Sequence, residues 1–177
     1  MAYSLQQLSD MEAIKILKHR YFRGIDTADM VLLDSLFTDD VSVVYNGGTY
    51  RVALSGRANM IEFLANSFHS GALAMHLGVM PEIAITGENA ATGIWYLQDV
   101  FINLEIDNHT FGTAIYTDSY RREDGVWKIA STHYDRVIEV LTPFAQTGGR
   151  VTIQRLAQTG RKPEDRSDIS HLIEWDE

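Results

Sequence analysis

The sequence predicts an α+β domain in which three N-terminal helices pack on one face of a curved, mainly antiparallel sheet. Three observations carry this. Apolar residues recur at helical spacing three times within the first seventy positions; after residue 72 the pattern changes to long strands; and those strands are separated by short turn clusters, Gly87-Glu-Asn89, Asp107-Asn108 and Glu123-Asp-Gly125. Helices first and a meander afterwards is the order of an α+β layer, and the face such helices cover can enclose a pocket.

The first helix is expected over about residues 10 to 25, where Ser9-Asp-Met-Glu12 reads as a capping box and Ile14, Leu17 and Tyr21 follow at spacings of three and four. Met30, Leu33, Leu36 and Phe37 mark a second short helix, ended by Thr38-Asp-Asp40 before the β-branched run from Val41 to Tyr45. Alternation puts Tyr45 on one strand face with Val41 and Val43. Asn46-Gly-Gly48 is a turn, and Met60, Ile61, Leu64, Ala65 and Phe68 in "GRANMIEFLANSF" make the third helix. The meander then runs through "ALAMHLGVMPEIAIT", "AATGIWYLQDVFINLEI", "TFGTAIYTDSYRR" and "VWKIASTHYDRVIEV". Residues 1–141 form the domain; residues 142–177, rich in glycine and charge, read as an extension with a short helix near 151 to 158 that packs on the same domain or on a neighbouring subunit.

Composition narrows the function classes. There are no cysteines, which excludes disulfides, thiolate metal sites and a cysteine nucleophile and fits a reducing compartment. The opening "MAYSLQQLSDMEAIK" lacks a basic start followed by an apolar run, and no stretch reaches membrane-spanning length, so a soluble cytoplasmic protein with no membrane partner is expected. A net charge of −9 repels phosphate backbones, which argues against nucleic acid. No His-Glu-x-x-His spacing, phosphate-cradling loop, dinucleotide fingerprint or Gly-x-Ser-x-Gly elbow is present, which favours chemistry without metal or cofactor. The second face of the central strand, Ile94, Tyr96, Val100 and Ile102, is apolar, and helices or another subunit of a homo-oligomer are expected to cover it.

Two ionisable residues sit in apolar strands. Asp99 in "GIWYLQDVF" shares its face with Trp95, Leu97 and Phe101, and His76 lies in "AMHLGVMPEI" one strand earlier. A buried carboxylate needs partners or a cavity. Counting outward from the turn at 87 to 89 brings His76 opposite Asp99, so the carboxylate would hold one ring nitrogen and leave the other to exchange a proton with a ligand; a purely structural pair is the alternative. Tyr21 and Tyr45 approach the same cavity, where a phenol can polarise a ligand carbonyl or serve only as core. Asp26 either joins this set or simply ends its helix. Arg136 pairs with Asp26, binds an anionic group or lies at the surface, and His133 is a further candidate on the same strand.

These segments resemble a known family. "DMEAIKILKHRYFRGID", "MHLGVMPEIAITGENAATGIWYLQD" and "IYTDSYRREDGVWKI" with "YDRVIE" resemble the SnoaL-like branch of the nuclear-transport-factor-2-like superfamily over about residues 10 to 140. Within it the similarity is greatest to the bile acid 7α-dehydratases and more distant to the scytalone dehydratases. The resemblance implies a cystatin-like cone, a homotrimer with a dimer as the alternative, and a cofactor-independent dehydratase acting on a hydroxylated, carbonyl-activated polycyclic or steroid-like molecule. It places catalysis on His76, Asp99 and Tyr21, with Tyr45, Asp26 and Arg136 in support. The superfamily also holds ketosteroid-isomerase-like enzymes and non-catalytic small subunits, which are the alternatives.

Overall fold

A computed structural model describes residues 2–175. Helix α1 spans Leu5–Asp26 and starts upstream of the expected site. The capping box is Ser4 with Gln7: the Gln7 N–H donates to the Ser4 hydroxyl, and the Ser4 N–H donates to the Gln7 side chain. Ser9 lies inside the helix because the Ser-x-x-Gln signal precedes it and no breaker intervenes. Helix α2, Met30–Leu36, is capped by Asp29, whose carboxylate accepts from the Leu32 N–H. Helix α3 spans Arg57–Ser67.

Seven strands form one mixed sheet: β1 (Phe37–Asn46), β2 (Tyr50–Ser55), β3 (Ala72–Gly87), β4 (Ala90–Asn103), β5 (Asn108–Glu123), β6 (Val126–Pro143) and β7 (Ile173–Trp175). The spatial order is β3-β4-β5-β6-β1-β2-β7. Among the described residues only the β1–β6 contact is parallel, because the chain crosses from the first hairpin through α3 to the far edge and meanders back. The sheet stays open, and with the helices packed on it this is the expected α+β cone. Ile14, Leu17, Tyr21, Phe22 and Ile25 of α1 pack onto the concave face with Trp95, Leu97, Ala114 and Tyr116. No helix among the described residues is long and apolar enough to cross a membrane.

After β6 the chain turns back along the helical side through helix α4 (Leu156–Thr159). Arg161 binds the Glu62 carboxylate, and that contact holds the Glu62 pKa down at about 2. The Ser167 N–H donates to Asn66, and Arg166 pairs with Glu105. β7 then adds to the edge of β2, with Arg51 bound to Glu174.

The convex face of the sheet is apolar and open. Met75, Val100, Phe111 and Val140 align in one cross-strand row, and Leu77, Ile138, Ile94 and Tyr96 extend it. Met75 is 54% exposed and Ile138 51%. A contiguous patch of this kind is unusual on a monomer. A second copy of the chain is expected to cover it, so light scattering at micromolar concentration should give a multiple of 20.0 kDa; a 20.0 kDa particle would rule the assembly out.

Candidate active site

The concave face and the helices enclose a cavity of about 300 Å³. Its walls are mostly aromatic and aliphatic, with Tyr21, Phe63, Phe68, Leu97, Phe101 and Tyr116 among them, and a few polar groups converge on it. Ile169, Ile173 and Trp175 of the returning C-terminal segment complete the lining beside Tyr50.

The register of β3 with β4 places His76 opposite Asp99. The histidine nevertheless takes its hydrogen bond from elsewhere. Its Nδ1 lies 2.6 Å from Oδ1 of Asp26, the last residue of α1, and its backbone N–H donates to Oδ2 of the same carboxylate at 3.0 Å. A carboxylate only accepts, so Nδ1 carries a proton, and in its neutral form the ring presents its lone pair at Nε2. Nε2 has no hydrogen-bond partner among the described residues, and His76 lines the cavity. Phe22 stacks on the ring and Phe68 meets it edge-on, which fixes its plane. Asp26 is partly exposed in a shallow cleft between α1 and β3, so the pair also reaches water on the side away from the cavity. The expected His76–Asp99 hydrogen bond is therefore corrected to His76–Asp26.

Asp99 is 3% exposed and is held by Arg136 through both terminal guanidinium nitrogens. Burial opposes the charge on Arg136, but the Asp99 hydrogen bonds outweigh it and the guanidinium pKa is raised. Arg136 thus pairs with neither Asp26 nor solvent. It crosses β5 at Gly112, where any side chain would collide with the guanidinium and the Asp99 carboxylate. Glu139 approaches the same guanidinium, with Oε1 3.3 Å from Nε.

Four tyrosines crowd the next layer. Tyr21 and Tyr45 share a 2.8 Å hydroxyl hydrogen bond, Tyr45 stacks on Tyr134, and Tyr116 meets Tyr21 and Tyr45 edge-on. Burial pushes the Tyr21, Tyr45 and Tyr116 phenols well above their ordinary pKa, so they remain protonated donors.

Of the residues singled out in the sequence, His76, Asp99, Tyr21, Tyr45 and Arg136 line this one cavity, and Asp26 reaches it through His76. His133 does not. On β6, Tyr134 and Arg136 face inward, so period two turns His133 outward, where it contacts Asn46 and Asp135. Sequence reasoning passed over Glu139 and His69. His69 is buried in the cavity wall; burial lowers its pKa, and its Nδ1 accepts from the Gly71 N–H. The clue to His69 was its place one residue beyond the apolar stripe of α3, where the helix turns into β3.

Comparison with known proteins agrees with this architecture. The SnoaL-like domain family model matches residues 6–133. Among solved structures, a hexachlorocyclohexane dehydrochlorinase (LinA) Type2 superposes with a TM-score of 0.70 at 21% identity, covering 78% of this chain and 92% of its own. A protein from Novosphingobium aromaticivorans DSM 12444, provisionally assigned as a scytalone dehydratase, gives a TM-score of 0.66 at 19% identity over 76% of this chain and 88% of its own. A function-unknown protein from Mycobacterium tuberculosis, Rv3472, gives 0.62 at 20% identity over 87% and 86%. At these identities the likeness is one of fold.

Proposed function

The chain belongs to the SnoaL-like domain family, and from that membership and the site geometry we propose that it is a cofactor-free lyase that removes water from a hydroxylated, carbonyl-activated polycyclic or steroid-like molecule. The observation that carries the proposal is His76, which lines the apolar cavity with Nδ1 anchored on Asp26 and Nε2 without a hydrogen-bond partner among the described residues. Elimination in the names of two structural neighbours, a dehydrochlorinase and a provisionally assigned dehydratase, supports the same reaction class.

In this reading the ligand carbonyl acidifies a neighbouring C–H. His76 Nε2 takes that proton, and the C–H electron pair moves onto the carbonyl oxygen as an enolate. The Tyr21–Tyr45 pair donates a hydrogen bond to that oxygen. Asp26 stabilises the imidazolium so formed. Collapse of the enolate breaks the C–O bond at the β carbon, and the imidazolium returns its proton to the departing hydroxyl. Water and a conjugated carbonyl result, and the protein ends in its starting protonation state.

Screening steroid and aromatic β-hydroxy-ketones for new ultraviolet absorbance tests this. Growth of an enone band with wild-type protein and its loss in His76→Ala is the expected result. Tight binding of such ketones with no absorbance change would make the protein a binder rather than a lyase.

A further inference from the structure

We propose that Glu139 is a specificity-determining residue: its carboxylate accepts a hydrogen bond from a ligand hydroxyl at the end of the cavity remote from His76 and excludes ligands that carry a carboxylate there. The inference deepens the lyase reading by naming the ligand's far end, and it rests on that reading for the identity of the reacting end only.

Position comes first. His76, Asp99, Gly112 and Glu139 occupy one cross-strand row of β3, β4, β5 and β6. Three strand spacings separate the Cα atoms of His76 and Glu139 by about 14 Å. Both residues line the cavity, and Gly112 leaves the wall between them to Asp99 and the Arg136 guanidinium. A ligand with its reacting carbon at His76 therefore extends along this row toward Glu139.

Unused bonding capacity comes second. The Glu139 side chain is 8% exposed. Arg136 gives both terminal nitrogens to Asp99 and offers Glu139 only its Nε, which makes a 3.3 Å ion contact without a hydrogen bond. Among the described residues, Glu139 accepts no hydrogen bond, although a carboxylate has about four acceptor sites. An acceptor with free sites beside a cavity can take a donor from the ligand.

Charge decides which donor. Along the cavity wall, Asp99 and Glu139 stand against Arg136, so with His76 neutral the wall carries a surplus negative charge. A ligand carboxylate meets like charge in a poorly solvated site. An ammonium would have to desolvate beside the Arg136 guanidinium. A neutral hydroxyl meets neither penalty.

Displacement of the fluorescent probe N-phenyl-1-naphthylamine by three competitors of one ring system tests the assignment without any turnover. The competitors are 2-naphthalenemethanol, 2-naphthoate and 2-naphthylmethylamine at pH 7. In wild-type protein the alcohol is expected to displace the probe at a concentration at least about tenfold below that of the naphthoate, as a charge-assisted hydrogen bond allows. Glu139→Gln should narrow that ratio to about threefold or less, and Glu139→Asp, which keeps the charge, should still reject the naphthoate. Probe bound on the convex face is blind to these substitutions, so the difference between variants reports the cavity. Equal displacement by alcohol and naphthoate in wild type, an unchanged ratio in Glu139→Gln, or the amine binding more tightly than the alcohol would each overturn the proposal. Melting curves of both variants accompany the titrations, and the Asp variant still decides the outcome if the Gln variant is unstable. A protein that dehydrates nothing can still pass this test, so its failure and that of the lyase reading are separate results.

Discussion

His76→Ala is expected to lower turnover of an accepted β-hydroxy-ketone by about 10² to 10⁴, the usual cost of removing a positioned acid or base. Asp26→Asn should fall in the same range, because an amide can donate to Nδ1 and so move the ring proton to Nε2, where a base is needed. The double variant should be little worse than His76→Ala alone, since the two act as one unit. Both single variants should stay folded. Asp26 is partly exposed and ends a helix, so it returns to water when its partner is removed and does not strand a buried charge. Asp99→Asn is the contrast. It takes charge from the Arg136 pair and leaves the His76–Asp26 bond in place, so it should raise KM more than it lowers kcat. Measured kcat, KM and melting temperature on the same four proteins separate these outcomes, and full turnover in His76→Ala would remove His76 from the mechanism.

The two carboxylates show how far the sequence reaches. Strand alternation and a count from one tight turn were enough to put Asp99 on the inner face and His76 across from it, because both follow from period two and local pairing. The hydrogen bond itself was not legible. Its acceptor lies 50 residues away in sequence at a helix terminus, and only tertiary packing of α1 against β3 decides which of two carboxylates the ring meets. Asp99 is then taken by the better partner, a two-toothed guanidinium. Glu139 was hidden for a different reason. Continuing the alternation of Tyr134 and Arg136 would turn Ile138 inward, but the register shifts at Val137, so Ile138 faces out and Glu139 faces the cavity opposite Gly112. A bulge of this kind has no local signature. The short strand β7 escaped because its partner, β2, lies far away in the sequence.

Lys18→Met and Asp118→Asn are each expected to cost about 3 to 5 kcal/mol of stability, the penalty for leaving one member of a buried ion pair alone. Both side chains are fully buried, with Lys18 Nζ 2.7 Å from Asp118 Oδ2. Burial pulls the Lys18 pKa down, and Asp118 pulls it part of the way back, so the ammonium depends on that carboxylate. Asp118 also accepts from the Tyr120 hydroxyl, which in turn accepts from Trp95 Nε1, so the pair ties α1 to β4 and β5 through the core. Nothing solvates either charge once its partner is gone. The double variant, with an apolar side chain facing an amide, should therefore lose less than the sum of the singles, and urea unfolding of the four proteins measures the difference. The pair also bears on the site. Lys18 Nζ lies 3.7 Å from the centre of the Tyr116 ring and 4.7 Å from that of Tyr21, a cation–π contact behind Tyr21, one of the two phenols proposed to hold the enolate, and behind the Tyr116 ring packed on it. A double variant that regains stability should still lose turnover, because Met restores volume there but not the charge that orients the two rings. Recovery of both stability and turnover would show that the pair serves the core alone.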